Sequence, residues 1–297
     1  MFQISKKYAP WRLACKLSLA VLGALGLTNG ALAAFVTFEA NGLTPASITA
    51  KRDAFRASVG GGSAAAANGD FGGVRREINW DGVPGGFSDP SLLPANFFNM
   101  NSPRGAVFST PGTGFMVSST VGTPLFGFSG ELQTFSPSKL FATLGSNVMD
   151  IDFFLPGTLT AATTSAFGLV FVDVENANET MIEFFNASNS LLYSRFALAG
   201  SNQGLSFVGG VATAGERIAK VRITMPNNFL LGNGVRANET NDFVVMDDFL
   251  YATPAVVPEG GSLALVGMSL LALAWVRRPT PQPNAGALLR SSSALCA

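Results

Sequence analysis

Several acidic residues of this sequence are placed where their carboxylates could bind a metal ion. Glu39 ends the first predicted strand after the amino-terminal segment, and Asp247 and Asp248 lie inside the last predicted strand. Calcium takes roughly six to eight oxygen ligands from carboxylates, amides and carbonyls. Adjacent residues of a strand point to opposite faces, so one of the two aspartates faces inward or a bulge interrupts the strand.

A buried aspartate needs either a metal or hydrogen-bonding partners. Two interpretations of Asp247 and Asp248 therefore stay open. In the first, one of them binds a structural calcium ion. In the second, the inward carboxylate accepts hydrogen bonds from backbone amides of a neighbouring loop.

A second carboxylate pair, Asp150 and Asp152, lies two residues apart on a predicted strand. This spacing puts both on one face, about 7 Å apart, and paired carboxylates can hydrolyse glycosides. However, the apolar residues Met149, Ile151 and Phe153 alternate with them. That pattern is typical of a half-buried strand, so we favour a solvent-facing role for the pair.

Other chemistry is excluded by composition. The sequence has no histidine, and its two cysteines, Cys15 and Cys296, lie in the terminal segments. Ser-His-Asp and Cys-His catalysis and histidine-ligated zinc or copper are thereby excluded. Lys and Arg balance Asp and Glu at 19 each, and this balance does not indicate a nucleic-acid partner. We expect a protein that is not an enzyme.

Trp80 is the candidate ligand-binding aromatic residue, because it is the only tryptophan of residues 34–256. It could be a platform for a sugar, or an ordinary core residue at a strand end. The aromatic residues are mostly phenylalanine, 25 in the whole chain. Phenylalanine has no polar edge and is typical of a core, so we favour the core interpretation.

The elements that must position these residues are β-strands. Short β-rich runs separated by turn residues indicate an all-β, antiparallel sandwich, and residues 219–225 show the clearest alternation. One short helix is expected near residue 45, since Thr44 can cap it and Pro45 suits its first position. The predicted strands are residues 36–38, 75–80, 107–109, 115–118, 148–154, 167–174, 181–185, 191–196, 205–208, 218–225 and 243–251.

This arrangement resembles jelly-roll domains of the galactose-binding-like type. Such domains often pair their first and last strands, and they commonly hold a structural calcium between amino-terminal and carboxyl-terminal oxygens. The resemblance implies that Glu39 shares a calcium ion with Asp247 or Asp248. It also raises the possibility of carbohydrate binding, although a fold does not by itself imply a function.

Residues 1–33 have the pattern of an export signal. A basic start precedes an apolar stretch, residues 17–27, and Ala31-Leu32-Ala33 forms an A-x-A cleavage site. We therefore expect the mature chain to begin near Ala34. The alternative, an uncleaved membrane anchor, is disfavoured because the apolar stretch is short for a bilayer span.

The other end of the chain has the pattern of a membrane segment. Residues 263–276 are apolar apart from Ser269, and at about 1.5 Å per residue they would form a helix of about 21 Å. Residues 260–262 bring the segment near the lower limit for spanning a bilayer. Arg277 and Arg278 follow, and the positive-inside rule puts them on the cytoplasmic side.

This tail resembles the PEP-CTERM sorting domain of exported bacterial proteins. The match consists of Val257, Pro258 and Glu259, the apolar run with Trp275, and the arginine pair. Gly260 replaces the second proline of the motif, and residues 279–297 extend beyond the usual end. The resemblance implies export, membrane retention and processing by an exosortase-type enzyme in a bacterium that makes exopolysaccharide.

Four segments are thus predicted: a signal peptide (1–33), a β-sandwich domain (34–256), a sorting tail with a transmembrane helix (257–278) and a disordered tail (279–297). The predicted function is that of a non-enzymatic surface or matrix protein. It would be exported to the cell envelope or the exterior, anchored transiently in the inner membrane and associated with exopolysaccharide. The alternative is a carbohydrate-binding module or a weak glycan-active enzyme.

Overall fold

The computed structural model describes residues 34–60, 74–232 and 234–256, and in these residues it is an all-β protein with two short helices. The helices are α1 (Pro45–Val59) and α2 (Phe97–Met100). The strands are β1 (Phe35–Gly42), β2 (Arg75–Ile78), β3 (Ala106–Ser109), β4 (Gly114–Val117), β5 (Phe141–Leu144), β6 (Val148–Phe153), β7 (Ala166–Val172), β8 (Met181–Phe185), β9 (Leu191–Phe196), β10 (Leu205–Ala212), β11 (Lys220–Thr224), β12 (Leu230–Gly232), β13 (Val235–Arg236) and β14 (Val245–Ala252).

The strands form two sheets. The large sheet has the order β1-β10-β7-β14-β5-β12-β13, with β2 paired to β14 and β4 paired to β5. The small sheet has the order β3-β6-β11-β8-β9. All pairs between described strands are antiparallel except β12 with β5. The prediction of an antiparallel β-sandwich is confirmed at this level.

The pairing expected for the first and last strands is wrong. β1 pairs along its whole length with β10, and β10 and β7 lie between β1 and β14. At about 4.8 Å per strand, the first and last strands are about 14 Å apart. This separation bears directly on the predicted calcium site.

The main core lies between the two sheets and is rich in aromatic residues. The large sheet contributes Phe167, Leu169 and Phe171 of β7, and the small sheet contributes Ile151 of β6 and Phe184 of β8. On β11, Val221 and Ile223 are buried while Lys220, Arg222 and Thr224 are half-buried. The alternation that the sequence predicts therefore gives the small sheet one apolar and one polar face.

The large sheet is buried on its outer face as well. There α1 packs mainly against β1 and β10, and the Phe55 ring meets Phe38 of β1 and Phe207 of β10 edge to face. Gly168 faces Gly209 across these two strands. A Cβ atom on Gly209 would lie 3.0 Å from the Phe55 ring and 3.0 Å from the Gly168 Cα, so the absence of both side chains makes room for the helix.

The helix begins where the sequence predicts it. Thr44 has an extended backbone, Pro45 is the first helical residue, and Gly60 ends the helix with a φ of 86°. The Thr44 hydroxyl does not bond a helix amide; it lies 3.0 Å from the hydroxyl of Ser47. The helix is 15 residues long, and it covers part of the outer face of the large sheet.

Three predicted segments lie outside the described residues. They are the signal peptide (1–33), the sorting tail (257–278) and the terminal extension (279–297). The chain divides into two units, Met1–Ala255 and Val256–Ala297, and the β-sandwich belongs to the first. Neither helix of the described part combines the length and the apolar character that crossing a bilayer requires.

Candidate functional site

Glu39 is not close to the aspartates of the last strand. It lies on β1, and its carboxylate accepts two hydrogen bonds from Arg195 of β9, at 2.7 and 2.6 Å. This hydrogen-bonded pairing lowers the pKa of Glu39. Glu39 therefore joins the edges of the two sheets, and the predicted ligand set of Glu39 with Asp247 or Asp248 is not assembled in this structure.

Asp247 and Asp248 lie at a bulge of β14, one of the two arrangements that the sequence allows. The register of β14 on β7 shifts between Met246 and Phe249. The bulge brings both carboxylates to one hydroxyl, since Ser136 Oγ lies 3.2 Å from Asp247 Oδ1 and 2.6 Å from Asp248 Oδ1. Both aspartates are buried.

Backbone amides donate hydrogen bonds to Asp247, the more deeply buried of the two aspartates. Asp247 Oδ2 accepts hydrogen bonds from the amide of Phe135 at 2.7 Å and from the amide of Ser136 at 3.3 Å. This is the second of the two interpretations that the sequence leaves open. Arg52 of α1 adds a positive charge, with Nη1 3.8 Å from Asp248 Oδ2.

A third aspartate holds the other end of the same loop. Asp81 Oδ1 accepts hydrogen bonds from the amides of Ser138 and Lys139, at 2.5 and 3.1 Å. Burial raises the pKa of Asp81 to about 6. Burial, followed by the charge of Asp248, raises the pKa of Asp247 well above its ordinary value. Together these carboxylates fasten segment 135–139 over the large sheet.

Trp80 belongs to the core. Its indole is 1% exposed, stacks on Phe141 with ring centroids 4.0 Å apart, and meets Phe98 and Phe249 edge to face. Its Nε1 donates a hydrogen bond of 3.0 Å to the carbonyl of Asp247. The ring has no free face for a sugar, so the core interpretation describes its place in the structure.

The Asp150 carboxylate is engaged by basic residues. Arg222 of β11 donates two hydrogen bonds to it, at 2.8 and 2.9 Å, and Lys220 Nζ lies 3.8 Å away. Burial raises the pKa of the neighbouring Asp152. On β6 both aspartates are half-buried and alternate with three buried apolar residues, which agrees with the predicted polar face of a strand.

A polar pocket that the sequence does not predict lies beside the end of β7. We call it the acidic pocket; it has a volume of about 330 Å³. Its charged residues are Glu131, Asp173, Glu175, Arg236, Glu239 and Asp242. They come from three stretches of the chain that are far apart in sequence. The available signal is the run of polar residues at 238–242, which directly precedes the last strand.

The residues of the predicted sorting signal, Val257, Pro258, Glu259, Arg277 and Arg278, lie outside the described residues. Their role therefore remains a prediction from the sequence. Among the residues that the structure does describe, no group of three or more Asp, Glu, His or Cys side chains is arranged to hold a metal ion.

Comparisons with protein-family models, with curated proteins and with solved structures gave no match. No relative therefore supplies ligands or catalytic residues that could be transferred to these positions.

Proposed function

We propose that the protein is an exported, non-enzymatic component of the cell surface or extracellular matrix. In this proposal residues 1–33 direct export, and residues 257–278 hold the chain in the inner membrane until an exosortase-type enzyme processes it. The β-sandwich is the part of the chain that reaches the outside of the cell. There it would associate with exopolysaccharide.

The observation that carries this proposal is that a hydrogen-bonded β-sandwich lies within residues 34–256, between the two predicted signals. Ala34 is held by Thr213, whose amide donates to its carbonyl at 2.9 Å. At the other end, Ala255 exchanges two backbone hydrogen bonds with Thr163, at 2.9 and 3.0 Å. These bonds join residues that lie between the predicted cleavage site and Val257, so a chain from which both signals have been removed would keep them.

Two observations support a role without catalysis. The Asp150 carboxylate is held by Arg222, and the buried carboxylates of Asp81 and Asp247 fasten a loop. The carbohydrate-binding alternative is weakened because Trp80 and Tyr251 are buried in the core. Tyr193 is partly buried, and its hydroxyl lies 3.0 Å from that of Thr37.

The finer description of the fold, a jelly-roll of the galactose-binding-like type, is also a proposal. It is supported by the two antiparallel sheets around one aromatic core. The order β1-β10-β7-β14 departs from the expected pairing of the first and last strands. The proposed function does not depend on this relationship.

Cell fractionation tests the proposal. The full chain, a variant ending at Val256, and a Pro258→Ala/Glu259→Ala variant would be expressed in hosts with and without an exosortase. We expect the full chain in the membrane without the enzyme, and released only with it. The truncated chain should be released in both hosts, and the double variant should stay in the membrane.

Amino-terminal sequencing of the exported form should start near Ala34. A full chain found in the cytoplasm would contradict the proposal, as would a truncated chain that remains in the membrane. A glycan array separates the two functional classes, since specific binding of a purified glycan would favour the carbohydrate-binding alternative.

A further inference from the structure

The charge of the acidic pocket is strongly unbalanced. Five carboxylates line it, and Arg236 is its one basic residue. Arg236 is bound to Glu131, and its guanidinium lies over the rings of Phe128 and Phe243, 4.7 and 5.3 Å from their centroids. Among the described residues, the other four carboxylates form no ion pair. Such a pocket attracts a cation.

Asp242 points more specifically to a missing partner. Its Oδ2 accepts hydrogen bonds from the amides of Glu175 and Asn176, at 2.8 and 3.2 Å. Its Oδ1 is buried and has no hydrogen-bond partner, although the residue is only 6% exposed. Buried polar atoms are almost always paired in folded proteins. Asp242 lines the pocket, so its unpaired carboxylate oxygen is a candidate ligand atom for a cation.

Asp173 is a second buried carboxylate of the pocket. It is 3% exposed, and its φ of 69° lies in the left-handed region that aspartate tolerates. Its amide bonds the carbonyl of Gly204, and its Oδ1 accepts a hydrogen bond of 2.7 Å from the amide of Gln203. These two bonds hold the residue and its carboxylate in place at the pocket.

The neighbouring groups also favour a cation. Burial raises the pKa of Asp173 to about 7, with a further contribution from the charges of Asp242, Glu175 and Glu131. Burial raises the pKa of Asp242 as well. These carboxylates destabilise each other when ionised, and a bound divalent cation would remove that repulsion.

We propose that the acidic pocket binds one calcium ion, with Asp173 and Asp242 as its fixed ligands. Glu175 and Glu239 are exposed and line the same pocket, so rotation of their side chains can supply further oxygens. Asn and Thr side chains of the pocket and water complete the set. Calcium accepts such mixed and irregular oxygen shells, whereas magnesium requires a near-octahedral one. Among the described residues no three acidic side chains are already arranged around an ion, so Asp173 and Asp242 would be in place beforehand and the two glutamates would have to turn towards it.

This site differs from the one that the sequence predicts. The sequence predicts calcium near Asp247 and Asp248, where the amides of Phe135 and Ser136 donate hydrogen bonds to Asp247; that prediction is separate from this proposal. The proposal does not require that the protein be exported, because binding is measured on the purified chain. Export would expose the pocket to millimolar calcium, the range in which extracellular modules bind it.

Calcium titration of the full chain, purified in detergent and treated with a chelator, tests the proposal. We expect one ion per chain, with a dissociation constant of about 10⁻⁴ to 10⁻³ M, and a higher melting temperature when calcium is present. Asp242→Asn and Asp173→Asn should each weaken binding at least about tenfold, at the lower end of the effect of outer-shell changes at metal sites.

Two further variants keep the test decisive if a buried substitution prevents folding. Glu175→Gln with Glu239→Gln changes only exposed side chains and should also weaken calcium binding. Asp152→Asn is the matched control, because it removes a half-buried carboxylate on the distant small sheet and should leave binding unchanged. The proposal is overturned if the wild-type chain binds no calcium at 10 mM, roughly tenfold above the weakest expected constant. Preference for magnesium, or calcium binding unaffected by every pocket variant, would overturn it equally.

Discussion

Asp247 accepts a hydrogen bond of 2.7 Å from the backbone amide of Phe135, a residue 112 positions earlier in the chain. The bulge that turns Asp247 towards this amide also turns Asp248 towards Ser136. Segment 135–139 is thereby attached to β14, whose eight residues are all buried. In this structure the two aspartates hold residues 135 and 136 against β14.

Asp247→Ala should destabilise the protein, because the buried amide of Phe135 loses its acceptor. An unsatisfied buried group costs about 1–3 kcal/mol. Urea denaturation measures the change in the free energy of unfolding. Asp247→Asn keeps one carbonyl oxygen and should cost less. The calcium-dependent rise in melting temperature should be the same in Asp247→Ala as in the wild type, and its loss would restore the metal interpretation of Asp247.

Trp80→Ala should be among the most damaging single substitutions. It removes the ring that stacks on Phe141 and contacts Phe98 and Phe249, and large-to-small changes of core aromatics cost about 3–5 kcal/mol. Trp80→Phe should cost less. Leu159→Ala is the control, since Leu159 is 84% exposed and should change stability by less than about 0.5 kcal/mol. A Trp80→Ala variant as stable as the wild type would place the indole outside the core.

The Glu39–Arg195 pair should contribute little to stability. The Arg195 side chain is 46% exposed, and exposed ion pairs are worth about 0.2–1 kcal/mol. A double-mutant cycle with Glu39→Gln and Arg195→Gln should give a coupling energy in this range, and it should fall as salt is added. Calcium affinity should not change in Glu39→Gln; a weaker affinity would return Glu39 to the metal site.

Stability should depend on pH through Asp173. Its pKa rises from 3.8 to about 7 on folding, so the folded state holds the proton more tightly. The resulting stabilisation is complete below about pH 4 and is lost as the pH rises through about 7, and its size is on the order of 2–4 kcal/mol. The groups that face Asp173 in the pocket are Glu131, Glu175, Arg236, Glu239 and Asp242.

Without calcium, the wild-type free energy of unfolding should therefore fall more steeply between pH 5 and 8 than that of Asp173→Asn. Denaturation curves across this range in a chelator measure the difference. Equal slopes for the wild type and Asp173→Asn would contradict the raised pKa of Asp173.

The fold was predictable from the sequence where local patterns agree with tertiary burial. Lys220 and Arg222 alternate with apolar residues because one face of β11 meets the core. Thr44 and Pro45 mark the start of α1. In contrast, β5 was not predicted: its four residues are all buried, so Thr143 is covered like its apolar neighbours and no alternation appears. The strands β12 and β13 were not predicted, because three and two residues are too few to show an alternating pattern.

The sites were harder to predict because they depend on pairings between distant strands. The sequence allowed a bulge at Asp247 and Asp248 and a bonded carboxylate there, and both are found. It could not show that β10 and β7 would separate Glu39 from these residues. It also could not bring Asp173 and Asp242 together, since their proximity follows from loops at the ends of β7 and β14 meeting at one edge.

The attachment of Ala255 to Thr163 determines how the domain would respond to a pulling force. Tension applied through the carboxyl terminus reaches this two-bond bridge first and then β14. That strand is held by β7 on one side and by β2 and β5 on the other, so it cannot be peeled away like an edge strand. A protein tethered by its tail would therefore transmit mechanical load into a strand that is paired on both sides.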